Sequence, residues 1–423
     1  MPHNEQSRDA LGDPVSDPLA NHGLSRTTRS HNDQHRLRIR AAAQAGTAGE
    51  EGSRVTKTSR LRGVLIATSI VAVGALLTAC SSSGASPSSS PHATSTKVAL
   101  PTGPVSLTFV GYGGAGQQGQ IDAWQTPYTA AHPNVTFQNT SPASVAGVQA
   151  QVQAGNIQWD VVNVAPYAAT QNCGTLFEKL SVPKLDPKDF PAGTIGECYV
   201  GNFTNSPMVA YNVKDFPDPS KAPKTIADFF NTKKFPGKRG VVSDLQDGMI
   251  EYPLLADGVK ADKLYPLDVP RALKKWDTIK SDTIFAPNVG VLQQDVANDQ
   301  VSMFIMVASR VLVELNAGVQ IKPIWDTTVT ALNAFAVPKG DTKLASAEDF
   351  IQASVQPGPS AAIAEKDGVS PINLKSKPNL SANAALVNVF GKSNTGKTVA
   401  QNVESIAKYN NADTLLINQW LNG

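Results

Sequence analysis

Two glycine-rich stretches carry the clearest signals for phosphate chemistry. Gly111 to Gly116 (GYGGAG) fits G-x-G-x-x-G between an apolar strand pattern and a helix pattern, the setting of a dinucleotide fingerprint. The next strand pattern, Val135 to Gln138, runs into Asn139 and Thr140 where an acidic residue should meet the ribose. The better reading is a tight turn that exposes backbone N–H groups at a helix start and lines a ligand cleft. Gly391 to Thr398 (GKSNTGKT) fits G-x-x-x-x-G-K-[ST] in full. Only 25 residues follow Thr398, and they hold no apolar strand ending in the aspartate that Mg²⁺ would need. This stretch reads as a solvated turn between two C-terminal helices.

Nucleophilic and metal chemistry are poorly supplied. Of six histidines, His3, His22, His31 and His35 lie in a polar leader and His92 lies in a Ser/Pro-rich stretch. The remaining body has His132 alone, which argues against multi-histidine zinc sites and leaves one base for any Ser-His or Cys-His pair. No G-x-S-x-G elbow occurs, and no metal or cofactor is expected. Residues 1–62 hold 10 of the 37 basic and 7 of the 35 acidic side chains. The chain after Cys80 has 27 basic and 28 acidic groups, a net of −1 that gives no footprint for nucleic acid.

The elements that must position these residues follow from pattern. The chain has 423 residues, 41% of them hydrophobic and 17% charged, enough for two or three domains with sizeable cores. Val105 to Val110, Val135 to Gln138 and Trp159 to Val164 read as strands. Helices over 117–132 and 145–154 separate them, with Ile121, Trp124 and Tyr128 on one face of the first. That β-α-β-α-β order predicts a parallel sheet with right-handed crossovers. Met208 to Tyr211, Gly240 to Ser243 and Val301 to Val307 read as further strands, among short helices over 224–230, 249–256, 269–279 and 291–298. After Pro338 the pattern is mainly helical, with helices over 345–353, 360–365, 382–390, 398–409 and 413–421. Trp124 and Trp276 fall on helix faces and read as core. The fold class is α/β with two lobes.

The N-terminal region reads as an export signal. Residues 1–54 are polar and without periodicity, as in a disordered extension. Lys57, Arg60 and Arg62 then flank an uncharged apolar run of 17 residues, Gly63 to Ala79, shorter than the ~20 a spanning helix needs. Leu77 to Cys80 (LTAC) is similar to a bacterial lipobox, which implies acylation of Cys80 and cleavage just before it. Residues 55–80 form a complete signal of ordinary length, so translation is expected to start at Val55. Residues 81–104 read as a Ser/Pro-rich tether lifting the domain off the membrane. Cys173 and Cys198 remain, an even count that suggests a disulfide in an oxidising compartment; two separate buried thiols are the alternative.

Several stretches resemble the spermidine/putrescine-type solute-binding lipoproteins of bacterial ABC importers. Thr225 to Phe230 (TIADFF) and Lys234 to Gly240 (KFPGKRG) resemble the family's T-W-x-D-F-[WF] and F-P-G-K-R-G passage. Glu251 to Gly258 (EYPLLADG), Leu264 to Ala272 (LYPLDVPRA) and Val337 to Gly340 (VPKG) are similar to further family motifs. The resemblance runs from about 105 to 423. It implies a two-lobed periplasmic-binding-protein fold (type II, Venus-flytrap), each lobe a mixed, mainly parallel sheet flanked by helices. Crossings would fall near Asn205–Val209 and Met303–Val307. Lobe one would be 105–207 plus 306–352, and lobe two 208–305 plus 353–423. Hinge closure around a small solute, presented to a membrane permease by a lipid-anchored monomer on the outer face of the cytoplasmic membrane, is the implied mechanism.

The resemblance also implies a cage of aromatics and carboxylates for an amine. Tyr112 and Tyr167 fall at the family's aromatic positions, or else pack as wall residues. Asp244 and Asp247 are the nearest match to its acidic pair, though Asp244 could equally cap the helix after Ser243. The family's W-N-G-R region reads VASR here, ending at Arg310, and its Y-W-V-x-P-K-G region reads AFAVPKG over 334–340, so two cage aromatics are absent. Gly113, Gly114, Asn163, Asn205, Ser206 and Arg310 would suit an anionic or zwitterionic solute as well as a polyamine. Asp326 is a further candidate, with a solvated turn as its plainer reading. Competing functions are a ligand-sensing or scaffold lipoprotein without transport and an exported hydrolase, the latter without a supporting constellation of residues.

Overall fold

The computed structural model describes residues 100–423. The expected leader, signal, lipidation site Cys80 and most of the tether lie outside the described residues. Among the described residues, no helix is long and apolar enough to cross a membrane.

The first lobe begins with β1 (Val105–Val110), β2 (Val135–Thr140), β3 (Val161–Val164) and β4 (Val200–Thr204). β1 pairs in parallel with both β2 and β3, the arrangement expected of the β-α-β-α-β order. Alternation in β1 sends Leu107 and Phe109 into a core where Phe109 meets Trp124, Phe335 and Phe350 edge-on. The helix after β1 runs Gly114–Gln120, passes through a π-turn at Ile121–Gln125, and resumes over Thr126–Ala131. That extra residue per turn rotates the stripe, so Trp124 and Tyr128 are buried while Ile121 stays half-buried.

The second lobe holds β5 (Pro207–Asn212), β6 (Arg239–Val242), β7 (Thr283–Ala286), β8 (Met303–Val307) and β9 (Ile321–Pro323), in the order β7-β6-β8-β5-β9. The chain then passes β10 (Thr327–Thr330) into β11 (Leu332–Ala336), and later forms β12 (Ser370–Pro371) and β13 (Lys397–Ala400). The first sheet is ordered β12-β4-β11-β3-β1-β2, and β10 pairs with β13 in a separate two-stranded ribbon. Both sheets mix parallel and antiparallel pairs. The antiparallel ones are made by the strands that enter or leave a crossing.

The conspicuous 225–240 block is scaffolding. Thr225 and Asp228 form a capping box at the start of Ile226–Phe229. The fully buried Arg239 guanidinium donates to the carbonyls of Phe229, Gly237 and Phe235 at 2.7, 2.7 and 2.6 Å, clamping the F-P-G-K-R-G loop to its own strand. Gly237 sits at φ +108, where a Cβ would lie 2.2 Å from the Ser302 hydroxyl, so no other residue fits there. Cys173 and Cys198 form a disulfide, Cα atoms 5.5 Å apart, tying the end of the Pro166–Gln171 helix to the entry of β4.

Pairing redraws several expected boundaries. β8 is an interior strand of the second sheet, flanked by β6 and β5, so Met303–Val307 is not a crossing. The second crossing is at Ala331, between β10 and β11, where Ala331 O accepts the Asn205 N–H at 2.9 Å. Residues 306–330 belong with the second lobe, because β9 pairs with β5 and Val311 and Leu312 pack against Met306. Residues 353–371 belong with the first, because Ile363 enters its core and β12 pairs with β4. The apolar pattern over 398–409 is not one helix. Lys397–Ala400 is captured as β13 by parallel pairing with β10, and a single helix then runs Val403–Asn422. The Gly391 to Thr398 stretch therefore leads into a strand instead of opening a helix, and the phosphate-loop context is absent.

Candidate functional site

A cavity of about 490 Å³ is lined by residues of both lobes. From the first lobe it takes the glycine turn, with Tyr112, Gly113 and Gln117, together with Phe203, Asn333 and Asp367. From the second it takes Asp244, Asp247 and Arg310. Asn205, at the first crossing, lies between the two sets.

The glycine turn works through consecutive left-handed residues. Gly113 and Gly114 adopt φ +80 and +65, which opens the Gly114–Gln120 helix towards the cavity. The Gln117 side chain folds back, accepting from Gly113 N at 3.0 Å and donating to Thr140 O at 3.0 Å, so the turn is braced from within the helix. Gly114 itself does not line the cavity, but a Cβ on it would sit 3.5 Å from Arg310 Nη1, so the arginine of the second lobe reaches the turn of the first. Tyr112 remains 40% exposed and its hydroxyl accepts from Asn333 Nδ2 at 3.2 Å. Burial pushes its phenol up to about 12, against that hydrogen bond, and Asp247 and Asp244 add to the rise. The other Asn333 side-chain atom, Oδ1, is buried without a partner.

The acidic side of the site is a turn after β6. Asp244 Oδ1 accepts the N–H groups of Gln246 and Asp247 at 2.9 and 2.8 Å, so it closes a turn and not the expected helix start, since the next helix begins only at Glu251, and it lines the cavity as well. Burial raises the carboxyls of both aspartates, and Asp247 rises furthest because Asp244 and Glu251 repel its charge while Arg310 only partly offsets them. Behind them Glu251 is fully buried and is itself raised by burial. Its Oε1 accepts from Gln401 Nε2 and the Tyr265 hydroxyl, both at 2.9 Å, while Oε2 has no partner.

Opposite charge comes from Arg310, two residues into the Ala308–Asn316 helix. Its Nη1 donates to Gln293 Oε1 at 3.4 Å, and burial lowers its basicity while Asp367 and Asp247 hold the charge in place. Asp367, at the end of the Pro357–Asp367 helix, is 8% exposed and is pushed up to about 8 by burial, with Arg310 opposing. It was not among the residues singled out from sequence. The available signal was the small residue Gly119: a Cβ there would lie 1.9 Å from Asp367 Oδ1, so the glycine exists to admit this carboxylate.

The other expected site residues are placed differently. Tyr167 does not line the cavity. It packs against cores of both lobes, although burial and the charges of Asp244 and Asp247 raise its phenol. Ser206 is buried at the first crossing with its hydroxyl unpartnered. Asn205 is committed to Ser309, donating to its Oγ at 2.9 Å and accepting its N–H at 3.2 Å. Asn163 is buried in an amide chain, donating to Gln120 at 2.7 Å and accepting from Asn202 at 2.9 Å. Asp326 is a correction: it is absent from the cavity, and its carboxylate accepts Ile226 N at 3.1 Å, a structural bond to the capped helix. Among the described residues, no three His, Cys, Asp or Glu side chains are placed to hold a metal ion.

Asp367 makes a prediction about pH. Its folded value is raised above the ordinary carboxylate, so its contribution to stability is present at acid pH and is lost as pH rises towards 8. Between pH 5 and 8 the stability difference between the ligand-free wild type and Asp367→Asn should shift by about 3 kcal/mol, the variant gaining. Urea unfolding at both pH values measures it; a pH-independent difference would contradict the assignment.

The chain is similar to known proteins over most of the described region. The family model for bacterial extracellular solute-binding proteins matches residues 123–388. The gamma-aminobutyric acid-binding protein of Pseudomonas aeruginosa is 32% identical over 275 residues, 63% of this chain and 77% of that protein. Among solved structures, the Atu4243-GABA receptor is 31% identical with a TM-score of 0.67, over 75% of this chain and 97% of its own. The binding protein AgtB of A. tumefaciens R10, solved in complex with agropinic acid, is 26% identical with a TM-score of 0.67, over 75% and 99%. With this fold, an interlobe cavity and these likenesses together, the chain belongs to the bacterial extracellular solute-binding protein family.

Proposed function

We propose that this protein captures a short zwitterion, with an amine at one end and an acid at the other, and delivers it to an ABC permease. The observation that carries the reading is the pairing of charges in one cavity: the Asp244–Asp247 turn and Arg310 line it together. A diamine would leave Arg310 facing a like charge, and a dicarboxylate would face the acidic turn. An ω-amino acid such as γ-aminobutyrate satisfies both. The similar protein of Pseudomonas aeruginosa is named for that solute, which supports the class. Tyr112 and Phe203 supply apolar walls for the methylene chain. The expectation of a polyamine gives way to this class because Arg310 opposes it and two cage aromatics are absent.

We also propose lipid anchoring through Cys80, on the strength of the Leu77 to Cys80 motif. Each buried CH₂ of an acyl chain adds about 0.8 kcal/mol to membrane partitioning, so more than one chain holds the protein stably.

Thermal unfolding of the purified protein against ω-amino acids, diamines, dicarboxylates and sugars tests the solute. A ligand at 100 times its Kd should add about 2.7 kcal/mol, a clear upward shift in Tm. A shift confined to ω-amino acids is the expected result. A flat response to them would sink the reading.

A further inference from the structure

We infer that Tyr252 is a positioning residue that fastens the acidic turn to both lobe crossings, so that Asp244 and Asp247 move with the second lobe as one body when it closes on solute. The inference rests on the cavity being the solute site.

Tyr252 stands in the first turn of the Glu251–Ala256 helix and is fully buried. Its hydroxyl donates to Pro207 O at 2.5 Å and accepts from Val329 N at 3.1 Å. Pro207 opens β5, just after Asn205 and Ser206 carry the chain out of the first lobe. Val329 lies in β10, just before Ala331 carries it back. One phenol oxygen therefore holds a backbone group from each crossing segment. The crossings also meet directly through the Asn205 N to Ala331 O bond, at the level where rotation must occur.

The acidic turn is attached to the same point. Gly248 takes φ +81, and a Cβ there would be 2.8 Å from the Tyr252 ring and 3.3 Å from Pro207 Cγ, so the end of the turn lies flat on the tyrosine. Its other end is held by Gln401, whose amide nitrogen donates to Leu245 O, Gln246 O and Glu251 Oε1 at 3.0, 3.2 and 2.9 Å. With both ends pinned, the carboxylates keep their place on the second lobe, and flexing falls to Asn205, Ser206 and Ala331. Removing the hydroxyl strands a buried carbonyl and a buried N–H while the ring stays packed.

Tyr252→Phe tests this with γ-aminobutyrate as the probe, by stopped-flow kinetics and small-angle scattering. Phe229→Leu, deep in the same lobe's core, serves as a control for lost stability. The dissociation rate of Tyr252→Phe should rise about 10-fold, with the association rate changed less than about twofold, and contraction on binding should be incomplete. The control should lose stability yet keep wild-type rates. Wild-type dissociation and full contraction in Tyr252→Phe would overturn the inference and leave the solute reading standing. Failure of the wild type to bind γ-aminobutyrate or any other ω-amino acid would overturn both.

Discussion

Asp247→Asn should weaken binding of γ-aminobutyrate by about 100-fold while leaving the fold intact. Asparagine copies the protonated acid, the form that burial and the neighbouring Asp244 and Glu251 favour in the empty site. A bound ammonium reverses that preference, because an opposite charge within reach stabilises the carboxylate. The variant loses a charge-assisted bond inside a sheltered cavity, where truncating one partner costs 2–5 kcal/mol or more. Its ligand-free stability should not fall, since a crowded acid has been removed. The same argument gives a proton signature. Calorimetry in buffers of different ionisation enthalpy should report proton release on binding to the wild type near neutral pH, and less in Asp247→Asn, where Asp244 and Asp367 remain as titrating acids. Equal affinity in the two proteins would remove Asp247 from the site. Asp244→Asn is a less clean probe, because Asp244 also accepts the N–H groups that shape the turn.

The second large effect is expected at Arg310. Arg310→Gln should weaken γ-aminobutyrate about 100-fold by removing the donor for its carboxylate, whereas the four-carbon diamine putrescine should bind no worse and even gain. The argument turns on charge balance. Arg310 holds down the carboxyls of Asp247 and Asp367, and it presents a like charge to any second ammonium. Without it Lys366 is the one basic residue left in the lining, against Asp244, Asp247 and Asp367. Titrating both ligands into both proteins measures the crossover. Loss of putrescine binding together with γ-aminobutyrate would mean that Arg310 only shapes the cavity.

Much of this was legible in the residues. The strands β1, β2 and β3 and the glycine turn follow from local pattern, the even cysteine count pointed to the cystine, and Tyr112, Asp244, Asp247 and Arg310 all line the cavity, whereas β4, β11 and β12 were not read as strands. The most recognisable passage, 225–272, is legible for a different reason. Arg239, Gly237 and the Thr225–Asp228 box are constrained by backbone geometry, so they mark the scaffold and not the ligand. What was missed depends on distant approach. Asp367 carries no motif and reaches the site only because Gly119 lets its helix close in. Asn333 faces the cavity from β11, and nothing in its neighbours marks it. Lys397–Ala400 has a helical-looking context, yet the exposed edge of β10 captures it as a strand. Asp326, a candidate whose plainer reading was a solvated turn, accepts Ile226 N at a helix start, a distant contact that its neighbours in the chain do not mark.

The most direct test is a calorimetric comparison of three four-carbon solutes that differ only at their ends: γ-aminobutyrate, putrescine and succinate. The charge pairing of Asp244 and Asp247 with Arg310 predicts binding of the amino acid, with the diamine and the dicarboxylate at least 100-fold weaker. Binding of putrescine or succinate as tight as that of γ-aminobutyrate would contradict it.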